Sequence, residues 1–351
     1  NLLKYKNYEK YLKIWIDILT PKQLLFTEPM IVKLGKKHEL LCTSREYDQV
    51  SKLAKIRHFD LIYVGKHGGG NKVSKLKASV ERIEKLLKMI KKFEPDLVIS
   101  FGSPEAARIS FGLGIKHIMY CDSPHANAVM KLTLPLIQKL LIPYVIPKKE
   151  FSKYGIDMKN IIQYKAIDAK VTIQRKVNES SNTPFKNKNK KNILIRIEEE
   201  EAAYISKSSK IIPIIQKIGN DYKNENIVVL GRYEKQIKNL QKVIDNKIKI
   251  VKMSFDGKIL LNETDVFIGS GGTMTAESAL MGIPTISYNA VPNIVENFLV
   301  KKCLVKRETN PVEISNHIKK IFELKNKQNQ KRAKKIVKEM EDPIEKLIKI
   351  I

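Results

Sequence analysis

The residues best suited to chemistry lie between Gly269 and Pro284. Residues 269–273 are Gly-Ser-Gly-Gly-Thr, and they follow the apolar run Asp265–Ile268. Apolar residues at helical spacing predict a helix from Met274 to Met281, so the order is strand, glycine-rich turn and helix. The unpaired N–H groups and the positive dipole end of such a helix suit a phosphate. The candidate phosphate-binding residues are therefore Ser270, Gly271, Gly272 and Thr273.

Glu277 follows Thr273 by four residues, so a helix places both side chains on one face. The Glu277 carboxylate could accept hydrogen bonds from a sugar diol, and Thr273 could cap the helix or bond a phosphate oxygen. Together they predict a nucleotide-sugar site. The alternative is an ordinary strand–turn–helix in which the glycines serve only close packing.

Candidate groups for proton transfer lie in the first half of the chain. His125 follows an Asp-Ser-Pro turn, and Asp122 in that turn could orient the imidazole. His67 precedes three glycines on a loop that could close over a substrate. Asp17 ends the first predicted strand and would serve as a base if burial raised its pKa. The alternatives are solvated loop histidines and an aspartate that caps the next turn.

Two arginines in the second half of the chain are candidates for contacting a diphosphate. Arg232 closely follows the apolar run 227–230, and Arg196 lies within the apolar run 193–197. A guanidinium at the carboxyl edge of a sheet could bind a diphosphate in a bidentate manner. For Arg232, a surface ion pair is the alternative.

The elements that must position these residues alternate between strands and helices. This alternation predicts doubly wound parallel sheets of the α/β class, in which ligands bind beyond the carboxyl ends of the strands. Thr20 and Pro21 predict the start of a helix after the first strand, and a basic amphipathic helix is expected over 74–93. The predicted strands are 13–18, 39–43, 61–64, 95–100, 118–120, 144–146, 193–197, 227–230, 248–251, 265–268 and 285–288.

A chain of 351 residues is long for one domain and sufficient for two. We predict two Rossmann-like doubly wound domains that face a cleft. The N-terminal domain, 12–165, would bind the acceptor and supply catalysis, and the C-terminal domain, 192–325, would bind the nucleotide sugar. Between them, 166–191 is rich in Asn, Ser, Thr and Lys and predicts a linker and a surface loop. Residues 326–351 are predicted to form C-terminal helices.

The net charge of +28 would attract nucleic acid, anionic lipid or an anionic sugar donor. No nucleic-acid motif accompanies it, so dedicated nucleic-acid binding is not expected. Three widely spaced cysteines, Cys42, Cys121 and Cys303, argue against a disulfide or zinc framework and for a reducing compartment, with all three as buried small hydrophobes. No signal peptide or spanning segment is visible, and we expect a cytoplasmic protein, with peripheral contact to an anionic membrane as an option.

The motif Gly-Gly-Thr, a glutamate four residues after the threonine, and then Gly-x-Pro resembles the donor site of GT-B glycosyltransferases. It also resembles the non-hydrolysing UDP-N-acetylglucosamine 2-epimerases. The resemblance implies a GT-B-like fold, a diphosphate on the turn that contains Gly271 and Gly272, and ribose hydroxyls on Glu277. It also implies that the C-terminal helices cross back to the first domain.

Further segments resemble a narrower group, an archaeal family of GT-B-like proteins classified as a domain of unknown function. They are spread over nearly the whole chain: 14–23, 43–48, 65–69, 103–108, 122–126, 163–168 and 195–199. One departure from better-known GT-B relatives concerns the first strand, which in those relatives leads into a glycine- and histidine-rich loop. Here that place holds Leu19–Gln23, without a histidine. The base would therefore be His67, His125 or Asp17.

Three functions follow as expectations. The first is a metal-independent glycosyltransferase that uses a UDP-sugar as substrate, with no cofactor and with a lipid-linked or anionic acceptor as an option. The second is a UDP-sugar 2-epimerase, which needs an acid and a base on either side of the sugar ring. The third is a nucleotide-sugar- or nucleic-acid-binding protein without catalysis.

Overall fold

The computed structural model describes residues 11–177, 183–185, 187, 189–198, 211–231, 234–252, 256–290, 292–324 and 328–351. The described chain divides into two compact units. The first unit takes in the described residues up to Ala54, together with Phe59–Ile142 and Lys148–Ile162. The second takes in Lys55–His58, Pro143–Pro147 and the described residues from Gln163 onwards.

Strands and helices alternate in the first part of the chain. In order they are β1 (Lys13–Ile18), α1 (Pro21–Leu34), β2 (Glu39–Glu46), α2 (Asp48–Ile56), β3 (Ile62–Lys66), α3 (Lys72–Phe93), β4 (Leu97–Ser100), α4 (Pro104–Gly112), β5 (Lys116–Tyr120), α5 (Asn127–Thr133), β6 (Lys139–Pro143), α6 (Lys149–Ser152), β7 (Ile161–Tyr164) and α7 (Ala169–Thr172). The strands form one sheet in the order β3-β2-β1-β4-β5-β6-β7, and neighbouring strands from β3 to β6 are parallel. The winding direction reverses between β1 and β4, so their carboxyl ends flank a topological switch point.

The local sequence explains most of these elements. Ile14, Trp15 and Ile16 of β1 are all buried, as expected for a strand covered on both faces. Thr20 caps α1 and Pro21 begins it, as predicted. The strand predicted at 144–146 is wrong, because the strand here is β6, which ends at Pro143. Leu140 and Leu141 pair with β5, and Pro143 has no N–H to continue that ladder.

The second unit repeats the pattern with a six-stranded sheet. Its elements are β8 (Asn192–Arg196), α8 (Ile211–Asp221), β9 (Asn226–Gly231), α9 (Glu234–Gln241), β10 (Lys249–Lys252), α10 (Gly257–Asn262), β11 (Val266–Gly269), α11 (Thr273–Leu280), β12 (Thr285–Ser287), α12 (Ile294–Lys301), β13 (Val305–Arg307), α13 (Pro311–Glu323), α14 (Gln328–Glu339) and α15 (Pro343–Ile348). The parallel order is β10-β9-β8-β11-β12-β13. The switch point of this sheet lies between β8 and β11.

The first part of the predicted linker is not a surface loop. Ala166 and Ile167 are fully buried, and α7 and Arg175 are packed into the second unit. Apolar residues at regular spacing in this segment outweigh the polar composition that begins farther along the chain. At the C-terminus, α14 and α15 belong to the second unit, where Lys170 Nζ donates to the carbonyl oxygen of Val337 at 3.0 Å. The expectation that these helices cross back to the first domain stays a prediction.

The cysteine environments differ from one another. Cys121 is buried as predicted and Cys42 is partly buried, but Cys303 is exposed, because it lies in the turn between α12 and β13. The prediction that all three are buried is therefore wrong for Cys303.

Candidate functional site

The glycine-rich turn 269–273 lies at the carboxyl end of β11, beside the switch point of the second sheet. Gly271 has a φ of 97°, which favours glycine. A Cβ at Gly269 would lie 2.4 Å from Thr275 Oγ1, so close packing explains that glycine. At Gly272 a Cβ would meet only Ser270 Oγ, at 3.9 Å. Packing therefore does not require a glycine at 272, and the exposed backbone there is open to a ligand.

Helix α11 begins without a side-chain cap. Gly272 is the N-cap residue, and Thr273 is the first helical residue and is exposed. Thr273 is therefore not the cap, although its hydroxyl still lies at the helix start. Side chains help to hold the turn: Gly271 N–H donates to Thr275 Oγ1 at 3.2 Å, and Asn293 Nδ2 donates to Gly271 O at 2.8 Å. The result is a fixed helix start with backbone donors suited to an anion.

Glu277 lies one turn beyond Thr273 and is only 4% exposed. Its Oε1 accepts a hydrogen bond from Arg175 Nη1 at 3.1 Å, and Arg175 also pairs with Asp256. Burial alone would lower the pKa of Arg175, because it disfavours the charged guanidinium. The neighbouring Glu277 and Asp256 carboxylates have the larger effect, and the pKa of Arg175 is raised. Burial alone would raise the pKa of Asp256, but hydrogen bonding to Arg175 has the larger effect and lowers it. Both Arg175 and Asp256 are therefore charged at neutral pH.

Arg175 was not predicted as a site residue, because it lies in the segment expected to be a linker. The apolar residues around it, Ile167 and Val171 among them, were the available signal that this segment is packed.

The remaining nucleotide-site candidates have different outcomes. Ser270 is buried in the turn. Arg196 is buried at the end of β8, and its Nη1 donates to the carbonyl oxygens of Leu230 and Gly231 at 3.3 and 3.1 Å. Arg196 therefore supports the neighbouring strand β9, and its contact with a nucleotide stays a prediction. Arg232 lies outside the described residues.

Asp17 lies at the switch point of the first sheet and is 1% exposed. It accepts hydrogen bonds from Thr43 Oγ1 at 2.6 Å, Ser103 Oγ at 2.6 Å and Arg82 Nη2 at 2.6 Å. Burial alone would raise its pKa, but the Arg82 charge and these hydrogen bonds outweigh burial, so the pKa of Asp17 is lowered. The condition for a base at Asp17 was a raised pKa, and that expectation is wrong.

The start of α1 and the turn after β5 come together in the first unit. Lys22 and Asp122 form an ion pair, and the Lys22 ammonium lies 4.7 Å from the ring centroid of Phe101. Ser123 Oγ donates to Asp122 Oδ1 at 2.9 Å. Asp122 is therefore an anchored carboxylate close to His125, as the sequence suggested, rather than a free base.

His125 is exposed as a residue, but surrounding protein atoms partly remove its ring from water. This desolvation lowers the pKa of His125, with the Lys22 charge in the same direction and the Asp122 charge against it. A lowered pKa leaves the imidazole neutral at physiological pH, in the form that can accept a proton.

His67 is held in a different way. Its ring stacks on Tyr47 with centroids 4.9 Å apart, and its Nδ1 accepts a hydrogen bond from Gly69 N–H at 3.1 Å. A neutral imidazole whose Nδ1 accepts carries its proton on Nε2. In this arrangement His67 presents a donor, which makes it a weaker candidate base than His125.

The described residues contain no group of three or more His, Cys, Asp or Glu side chains placed to hold a metal ion. Within the same part of the chain, no helix has the length and apolar character needed to cross a membrane.

Comparison with solved structures gives the fold class. The UDP-GlcNAc 2-epimerase from Neisseria meningitidis, bound to UDP-GlcNAc, superposes with a TM-score of 0.72 at 16% identity, covering 96% of this chain and 98% of the epimerase. The spinosyn forosaminyltransferase SpnP superposes with a TM-score of 0.64 at 11% identity, covering 97% and 98%. The chain therefore has the α/β fold of two parallel-sheet, Rossmann-like domains found in GT-B glycosyltransferases and these epimerases, which confirms the predicted class.

Sequence comparison gives the family. Residues 12–351 match the family described as "Protein of unknown function (DUF354)", and the chain belongs to it. The uncharacterized protein MJ0665 of Methanocaldococcus jannaschii is 30% identical over 318 residues, which cover 88% of this chain and 91% of MJ0665. The family resemblance seen in the sequence is confirmed.

Proposed function

We propose that the protein is a glycosyltransferase that uses a UDP-sugar donor. The observation that carries the proposal is the start of α11, where a glycine N-cap leaves backbone donors open and a buried carboxylate lies one turn away. The diphosphate would accept hydrogen bonds from the N–H groups of Thr273 and Met274. The ribose hydroxyls would donate to Glu277. The N. meningitidis epimerase, solved with UDP-GlcNAc bound, supports a nucleotide sugar as the ligand of this fold.

The chemistry would be deprotonation of an acceptor hydroxyl as it attacks the sugar. His125 is the proposed base, because its lowered pKa keeps the ring neutral, and Asp122 would stabilise the imidazolium that forms. Helix-start amides and basic side chains would stabilise the departing UDP without a metal ion or another cofactor. The net charge of +28 supports an anionic acceptor, such as a lipid-linked phosphate, reached at an anionic membrane surface from the cytoplasm.

A thermal-shift panel of nucleotide sugars, with UDP, GDP, ADP and dTDP forms, tests donor binding. We expect stabilisation by UDP forms in the wild-type protein and a much smaller shift in Glu277→Ala. An unchanged melting temperature with every nucleotide would refute the proposal.

Incubation of the protein with its donor and no acceptor distinguishes glycosyl transfer from 2-epimerisation. A transferase releases UDP productively only when an acceptor is added, whereas an epimerase converts the donor without one. Donor epimerisation would therefore replace the transferase proposal with a 2-epimerase. Binding without turnover, tested with anionic and lipid-linked acceptors, would indicate a non-catalytic nucleotide-sugar-binding protein.

A further inference from the structure

Arg175 connects two carboxylates that lie far apart in the sequence. It is 6% exposed, and its Nε donates to Asp256 Oδ1 and Oδ2 at 3.0 and 2.9 Å. Its Nη1 donates to Glu277 Oε1 at 3.1 Å. Asp256 is itself anchored, because it caps α10 by accepting from Lys258 N–H at 2.9 Å. The chain Asp256–Arg175–Glu277 therefore ties the start of α10 to the proposed ribose carboxylate.

The guanidinium of Arg175 has a fixed direction. Lys258 Nζ donates to the Arg175 carbonyl oxygen at 2.6 Å, which holds the backbone. Nη1 has two hydrogens, and its acceptors are the Thr172 carbonyl oxygen and Glu277 Oε1. With Nε and Nη2 bound to Asp256, the guanidinium is directed at protein acceptors. Its effect on a bound nucleotide would therefore pass through Glu277.

We propose that Arg175 is a positioning residue for ribose recognition, which rests on the proposed function of this site. A glutamate side chain has three rotatable bonds, and a buried carboxylate without a partner would be poorly oriented and costly. Arg175 holds Oε1 by this hydrogen bond, so that Oε2 is the oxygen left to accept from the ribose diol. Asp256 therefore orients Arg175, Arg175 orients Glu277, and Glu277 would bind the ribose.

Isothermal titration with UDP and with 2′,3′-dideoxy-UDP measures this recognition, because the second ligand lacks the diol. For the wild-type protein we expect UDP to bind more tightly by about tenfold to a hundredfold, as for hydrogen bonds to a charged group. Glu277→Gln should reduce this ratio to within about twofold of unity. Arg175→Lys and Asp256→Asn should lower the ratio by roughly fivefold or more, while affinity for the dideoxy ligand changes by less than about twofold.

Arg307→Lys is the matched control, because Arg307 Nε donates to Glu296 Oε1 at 3.1 Å elsewhere in the second unit. It should leave the ratio unchanged. An equal loss of affinity for both ligands in Arg175→Lys and Asp256→Asn would mean that Arg175 only maintains the fold, and an unchanged ratio in both variants would also overturn the positioning role. Asp256→Asn keeps the test decisive if Arg175→Lys does not fold. Failure of the wild-type protein to bind UDP would instead refute the proposed function.

Discussion

The buried pair of Arg82 and Asp17 allows a quantitative test of the first unit. Asp17 accepts from Arg82 Nη1 and Nη2 at 3.1 and 2.6 Å, and Arg82 Nε donates to the Val64 carbonyl oxygen at 2.9 Å. Both side chains are almost completely buried. Arg82→Met would leave the Asp17 carboxylate buried with only hydroxyl donors. Removing one partner of a buried pair costs about 3–5 kcal/mol, so we expect a loss of that size.

The matched control is Lys88→Met on the same helix, α3. Lys88 pairs with Glu84 at 3.4 Å, but the two side chains are 78% and 72% exposed. Exposed pairs contribute about 0–1 kcal/mol, so this variant should lose little. In differential scanning calorimetry, Arg82→Met should lower the transition of the first unit by roughly 6–20 °C. A shift no larger than that of Lys88→Met would refute the reasoning.

Three further predictions concern single residues. The His117 ring is fully buried, with its nitrogens 2.9 Å from Ser100 Oγ and from Ser110 Oγ, and burial lowers its pKa to about 3. As pH falls below 6.5, the unfolded chain therefore takes up a proton on this residue before the folded protein does. The free energy of unfolding should fall by up to about 2.7 kcal/mol from pH 6.5 to 4.5. Urea unfolding should show a weaker dependence in His117→Gln, and equal slopes would contradict the prediction. Gly269→Ala should unfold at a lower temperature than the wild-type protein, because the new Cβ would clash with Thr275 Oγ1. Gly272→Ala introduces no such clash and should unfold near the wild-type temperature. Similar melting temperatures for the two variants would contradict this geometry. His125→Gln should lower kcat for glycosyl transfer by about 10²–10⁴-fold with UDP affinity retained, measured by UDP release, and undiminished turnover would exclude His125 as the base.

The nucleotide half of the candidate site was predictable because its residues are close in sequence. The order of strand, glycines and helix between Asp265 and Met281 determines a helix start and puts Glu277 one turn from Thr273. The structure agrees on this order but makes Gly272, rather than Thr273, the N-cap. The difference is one residue, within the usual uncertainty of helix boundaries.

The parts that sequence reasoning missed depend on long-range contacts. Arg82 looked like one of many basic residues on an exposed helix, yet it reaches Asp17 and reverses the expected direction of that pKa. Arg175 lies in the segment 166–191, whose polar composition indicated a linker, yet it pairs with two carboxylates from α11 and the start of α10. Spacing along one element does not show which distant side chain will neutralise a buried charge.

A crystal structure of the protein in complex with UDP most directly tests the claim that the start of α11 binds the diphosphate, because it locates the diphosphate. We expect diphosphate oxygens within about 3 Å of the backbone nitrogens of Thr273 and Met274, with the ribose hydroxyls on Glu277. A diphosphate bound away from the start of α11, in crystals saturated with UDP, would contradict the account.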